Sequence, residues 1–141
     1  MANITGTEVR DRLRSLTSID VSDTTLASAA FIPAGDAWIN KVLTNNSAGT
    51  FAALGTDDKA LAKAAEIAYV ASKVVSNAPL EDHEAGPIKV KGISADKIKA
   101  ICDLLKQEWL DAFDLLGYTT QTIYVGSSED GLYDSENTIY E

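Results

Sequence analysis

The stretch SADKIKAICDLLKQEWLDAFDLLG, residues 94–117, decides the fold class of this chain. Its apolar side chains recur at intervals of three and four residues, the period of an α-helix; they are Ile98, Ile101, Cys102, Leu105, Trp109, Ala112, Phe113 and Leu116. Ser94 is a suitable N-cap, and Gly117 suits the left-handed residue that ends many helices. The pattern predicts a long amphipathic helix as the last element of a mainly α domain.

Two more helices are predicted from their start signals. Thr5 and Glu8 form a capping-box pattern for the first helix. An alanine-rich third helix is predicted to begin after Gly55, and its polar positions, Glu66 among them, are predicted to face solvent. Residues 88–91 alternate between apolar and lysine side chains, which indicates a short strand or hairpin between the third and fourth helices.

The second helix is predicted to begin near Ser22 and to continue through Pro33. Because the apolar period persists on both sides of the proline, we predict a kinked helix rather than two separate ones. Phe31 and Trp38 would then face the bundle core. A second apolar stripe would face a neighbouring subunit, and it consists of Ile32, Ile39 and Leu43.

The last helix has more apolar surface than one small bundle needs. Leu104, Leu110 and Leu115 fall outside its main stripe. Exposed leucines of this kind favour a contact with a second molecule, so we assign these three residues to a candidate interface.

The end of the chain differs from the helical part. The formal net charge is −9 and the pI about 4.5, and residues 118–141 hold five acidic side chains with no Lys or Arg. We therefore divide the chain into a helical domain, residues 1–117, and an extended acidic arm, residues 118–141. The arm is predicted to order against a partner, through the residues Ile123, Tyr124, Val125, Tyr133 and Tyr140.

The residue types that carry chemistry are sparse. The single histidine, His83, stands among acidic residues of a predicted loop, and the single cysteine, Cys102, is predicted to be a buried structural thiol. We expect no enzymatic activity, no catalytic residue, no metal and no cofactor. The acidic balance disfavours binding to a phosphate backbone.

The sequence also lacks signals for membrane insertion or export. No apolar run reaches the roughly 20 residues of a membrane-spanning helix, and the first residues lack the layout of a signal peptide. We expect a soluble protein that is made in a bacterial cytoplasm and has no membrane partner.

The order of these elements resembles the head-tail connector, or adaptor, proteins of tailed bacteriophages. The resemblance covers about residues 4–117 and is carried by four features: the segment SLTSIDVSDTTL, a helix ending in AWINKVL, the alanine-rich helix, and GPIKVKGIS before ADKIKAICDLLKQEWLDAF. Pro33 and Gly35 depart from the uninterrupted second helix that is usual in that family.

The resemblance implies a helical-bundle subunit that forms a ring of about twelve copies beneath the portal protein. Such a ring extends the DNA channel, binds no specific DNA sequence and offers a surface to the next neck or tail protein, so the expected location is the virion neck. The residues leave one alternative open, an acidic helical module or regulator that masks a basic partner.

Overall fold

The computed structural model describes residues 2–17, 19–77, 84–85, 88–89 and 94–118. Residues 84–85 and 88–89 are described by their backbone alone. These residues are mainly helical and form a small bundle, as predicted. Five α-helices occur among them: α1 (Gly6–Arg14), α2 (Asp23–Leu26), α3 (Ile32–Asn45), α4 (Thr56–Ser76) and α5 (Ala95–Leu116).

Three two-residue strands form a small antiparallel sheet beside the helices. They are β1 (Asp20–Val21), β2 (Glu84–Ala85) and β3 (Ile88–Lys89), and β3 lies in the middle. The pairing of β2 with β3 confirms the predicted hairpin between the third and fourth predicted helices. The pairing of β1 with β3 was not predicted, and it ties the segment after α1 to that hairpin.

The helix ends follow their sequence signals. Thr5 N donates to Glu8 Oε1 at 2.9 Å, and Glu8 N donates to Thr5 Oγ1 at 3.2 Å, which completes the predicted capping box. Ser94 Oγ accepts from Lys97 N at 3.2 Å. Gly117 ends α5 with a φ of 79°, a conformation that a side chain makes unfavourable.

The helices α4 and α5 form the centre of the bundle, and α1 and α3 both pack on α4. One core cluster joins α4 and α5 to α1 and to the start of the chain, and its largest fully buried members include Val9, Leu13, Val70, Val74 and Leu105. A second cluster joins α3 to the other end of α4 and α5, through Ile39, Val42, Ala62, Ala65, Ala112 and Phe113.

The predicted kink at Pro33 is wrong. α2 ends at Leu26, and a new helix, α3, begins at Ile32 with Pro33 in its first turn. In the first turn of a helix, no backbone N–H has an acceptor within the helix, so proline loses no hydrogen bond there. Pro33 therefore begins the helix instead of distorting it.

The assignment of the second apolar stripe to a neighbouring subunit is corrected as well. Ile32 is 7% exposed, and Ile39 and Leu43 are fully buried within the single chain. Because α3 starts anew after the break, it can turn this stripe towards α4, and these side chains belong to the core.

Gly35 lies where α3 crosses α4. A Cβ atom at Gly35 would stand 2.6 Å from Val70 Cγ2 and 3.2 Å from Glu66 Cγ. Glycine therefore allows the two helix backbones to approach more closely than any other residue would.

Candidate functional site

A buried carboxyl group lies beneath this helix crossing. Glu66 was predicted to face solvent. It is instead fully buried, and it is the one buried charged residue among the described positions. The α-helical period explains the error, because Glu66 is one turn from the buried Ala62 and one turn from the buried Val70. The pattern of polar residues on a helix does not by itself fix the solvent face when the buried stripe is wide.

The contacts of Glu66 show how the carboxyl group is held. Its Oε1 accepts from Asn3 Nδ2 at 3.2 Å, whereas Oε2 meets no donor in the described part of the chain. Burial, together with a side-chain hydrogen bond to the Asp36 carboxylate, raises the pKa of Glu66 from 4.5 to about 9. Glu66 is therefore protonated at neutral pH.

Asn3 completes a three-residue cluster that we call the carboxyl cluster: Asn3, Asp36 and Glu66. The Asn3 backbone N donates to Asp36 Oδ1 at 3.2 Å, in addition to the side-chain bond to Glu66. The cluster thus fixes the start of the chain to α3 and α4. A neutral acid could act as a proton donor, but Glu66 is fully buried and has no contact with solvent. Its protonation therefore affects the stability of the fold.

The described surface also holds a groove of about 250 Å³ between α4 and α5. We call it the α4–α5 groove. It is lined by Tyr69, Ser72, Lys73, Ser76, Cys102, Asp103, Lys106 and Trp109.

Aromatic rings form one end of the groove. Trp38 of α3 stacks on Tyr69 with ring centroids 4.2 Å apart, and Trp109 meets both rings edge-on at 5.5 and 5.6 Å. The Nε1 atom of Trp109 is buried and has no acceptor among the described residues. A buried N–H without an acceptor is costly, so this atom reduces the stability that the aromatic packing provides.

The cysteine in the groove is not activated. Cys102 is half-buried, and its thiol donates to the Ser72 carbonyl oxygen at 3.8 Å. Burial, and then the nearby Asp103 carboxylate, raises the pKa of the Cys102 thiol. Since the thiolate is the reactive form, this environment suits a structural thiol.

The opposite flank of α5 exposes two leucines. Leu104 is 45% exposed and Leu115 is 75% exposed, and they stand about three helical turns apart on one stripe. We call them the leucine stripe. Glu108 lies between them and pairs with Arg12 of α1, which ties this flank of α5 to the first helix.

The predicted interface residues are thus divided by the structure. Leu104 and Leu115 are exposed, Leu110 is half-buried, and the α3 stripe is core. Ile123, Tyr124, Val125, Tyr133 and Tyr140 lie outside the described residues, as does His83.

Two kinds of feature are absent from the described part of the chain. Within it, no three or more His, Cys, Asp or Glu side chains are grouped so that they could hold a metal ion. Among its helices, none has the length and apolar character needed to cross a membrane.

Comparison with known proteins gives no relative. No protein-family model, no curated protein and no solved structure matches the chain.

Proposed function

We propose that this chain is a structural virion protein, a head-tail connector subunit of a tailed bacteriophage. The proposal starts from the order of elements: a capped first helix, a longer helix α3, the alanine-rich α4, a β-hairpin and the amphipathic α5. In this order of elements the chain resembles the connector family.

The observation that carries the proposal is that α5 has two different flanks. One flank bears the leucine stripe, and the other borders the α4–α5 groove. Subunits in a closed ring meet through two different patches, so each subunit needs two distinct lateral surfaces. A large exposed leucine at each end of one stripe is the apolar contact that such an interface buries.

The proposed partners follow from this role. Neighbouring copies would form a ring beneath the portal protein, and the next neck or tail protein would bind the other face of the ring. Genomic DNA would pass through the channel without sequence-specific contacts, and the net charge of −9 would limit adhesion of that polyanion. The proposed location is the neck of the virion.

Replacing Leu104 and Leu115 with Glu tests the proposal. Both side chains are exposed, so the double variant should fold like the original protein while it loses self-association or binding to the portal by about tenfold or more. Sedimentation velocity and electron micrographs, each with and without the candidate portal protein, measure this loss. Circular dichroism checks the fold.

The control is Ala60→Glu, which adds a carboxylate at an exposed position of α4. It should leave assembly unchanged. Rings that form equally well from the leucine double variant would contradict the proposed interface.

The acidic composition also favours the second candidate function, a helical module that masks a basic partner. The same sedimentation experiment separates the two functions. A protein that stays monomeric at every concentration, with and without portal, and that binds a basic protein stoichiometrically would support the module and exclude the connector.

A further inference from the structure

The carboxyl cluster depends on a segment that belongs to no helix or strand. Residues 2–4 lie just before α1, and we call them the strap. Both N–H groups of Asn3 are used on carboxyl groups: the backbone N donates to Asp36 Oδ1 and the side-chain Nδ2 to Glu66 Oε1, each at 3.2 Å. Ile4 adds an apolar contact with the core, where it is 3% exposed.

The strap is one of three elements that enclose the Glu66 carboxyl group. The others are α4, which carries it, and α3, which contacts it at Gly35 and Asp36. Glu66 can hydrogen-bond to Asp36 only while it is protonated, because two carboxylates have no donor between them. An ionised Glu66 would therefore be a fully buried charge with one donor, Asn3 Nδ2, and a carboxylate neighbour.

The charged groups around Glu66 offer no compensation for that charge. Asp36 of α3 is the charged group that, together with burial, raises the pKa of Glu66 to about 9, and Asn3 of the strap is neutral. Lys63 lies one turn before Glu66 on α4, but its Nζ is paired with Glu8 of α1 at 2.8 Å. The ionised group would therefore need water, which the closed structure excludes.

Of the three enclosing elements, the strap is the easiest to displace. The helices α3 and α4 have 14 and 21 residues and pack closely where they cross at Gly35. The strap is held by the two bonds of Asn3 and by the side chain of Ile4. Segments with few buried contacts open at a lower free energy than packed helices do. The capping box at Thr5 marks where such an opening ends, because α1 starts there.

We infer that residues 2–4 form a proton-dependent strap, which is closed while Glu66 is neutral and opens when Glu66 ionises. Opening gives the Glu66 carboxylate access to water. It also exposes Ile4, so the open protein presents an apolar side chain beside two carboxylates that the closed protein covers. This opening occurs within the folded protein and does not depend on the connector function.

The direction of the pH dependence follows from the two states of Glu66. In the closed protein its pKa is about 9, and access to water in the open protein lowers the pKa towards the ordinary value of 4.5. The closed form therefore binds the proton more tightly. Between these values the ratio of open to closed protein rises with pH, by at most about tenfold per pH unit.

Amide hydrogen exchange at Asn3 measures the opening, because its backbone N–H is bonded to Asp36 in the closed protein. The protection factor is the intrinsic exchange rate at a given pH divided by the rate measured by NMR. In the full-length protein, the protection factor of Asn3 should fall about three- to tenfold per unit between about pH 6 and pH 9. Val74, which is fully buried in α4, should stay at least about tenfold more protected than Asn3 throughout, because its exchange requires unfolding of the bundle.

Two matched variants identify the titrating group. Glu66→Gln removes the ionisation and keeps the size of the side chain, so the protection factor of Asn3 should no longer change with pH. This comparison separates Glu66 from other groups that titrate in the same range. Glu108→Gln makes the same chemical change on α5 and should keep the pH dependence of the original protein.

Two results would overturn the inference. One is a protection factor of Asn3 that is independent of pH in the original protein, or that falls equally in the original and in Glu66→Gln. The other is equal protection of Asn3 and Val74 at every pH, which would show that Asn3 exchanges only when the whole bundle unfolds.

Discussion

Replacing Glu66 with Gln is expected to stabilise the protein at pH 8 by about 2 kcal/mol, which raises Tm by several degrees. Glutamine keeps the size of the protonated acid. Its carbonyl oxygen can accept from Asn3, as Glu66 Oε1 does at 3.2 Å. Its amide group can donate to Asp36, so the arrangement no longer requires a bound proton.

The gain should depend on pH, and the raised pKa fixes its sign. Between pH 4.5 and about 9 the folded chain holds a proton on Glu66 that the unfolded chain has released. The free energy of unfolding therefore falls as the pH rises through this range, by at most about 1.4 kcal/mol per pH unit. Below pH 4.5 the contribution of Glu66 is fully present, so the variant and the original protein should have similar stability there.

Glu8→Gln is the control with the same change in charge and the opposite sign. Partial burial would raise the pKa of Glu8, but the hydrogen bonds from Lys63 and from the Thr5 backbone outweigh it and lower the pKa. The stabilisation by Glu8 is present above pH 4.5 and is lost as the pH falls through the lowered folded value. Glu8→Gln should therefore be destabilising at pH 8.

Urea unfolding at pH 5 and pH 8 measures both variants. A Glu66→Gln protein that is no more stable than the original at pH 8 would contradict the protonated state of Glu66.

The parts of the fold with local signals could be predicted from sequence. The capping box at Thr5 and Glu8, the cap at Ser94 and the glycine stop at Gly117 depend on residues within a few positions of one another. For the same reason the start of α4 after Gly55 was predicted correctly.

The wrong predictions concern features that depend on contacts between residues far apart in the sequence. The apolar period around Pro33 is the same for a kinked helix and for a proline that begins a new helix, and only packing against α4 decides between them. Glu66 is buried because Asn3, 63 residues away, and Gly35, on another helix, both fit against it.

The candidate site was predictable in part for similar reasons. Leu104 and Leu115 stood out because they break the period of α5, and that departure is a local pattern. Trp109 was predicted to lie on the apolar stripe, but its unmet N–H depends on which atoms of α3 and α4 surround the ring.

Replacing Gly35 with Ala is expected to destabilise the protein by about 1–2 kcal/mol. In an ordinary helix interior, alanine would be favoured over glycine by about 1 kcal/mol. Here the new methyl group would stand 2.6 Å from Val70 Cγ2. Relief requires either a helix shift or a different rotamer of Val70, a stiff β-branched side chain, and overpacking of this kind typically costs about 1–3 kcal/mol.

Two comparisons separate the steric effect from helix propensity. Ala37→Gly, at an exposed position of the same helix, should cost about 1 kcal/mol by propensity alone, so both glycine-to-alanine and alanine-to-glycine changes in α3 should be destabilising. In the double variant Gly35→Ala with Val70→Ala, removal of Cγ2 makes room for the new methyl group. Urea unfolding should therefore show that the double variant loses less free energy of unfolding than the sum of the two single losses, by about 1 kcal/mol. A Gly35→Ala protein that is more stable than the original would refute the close crossing of α3 and α4.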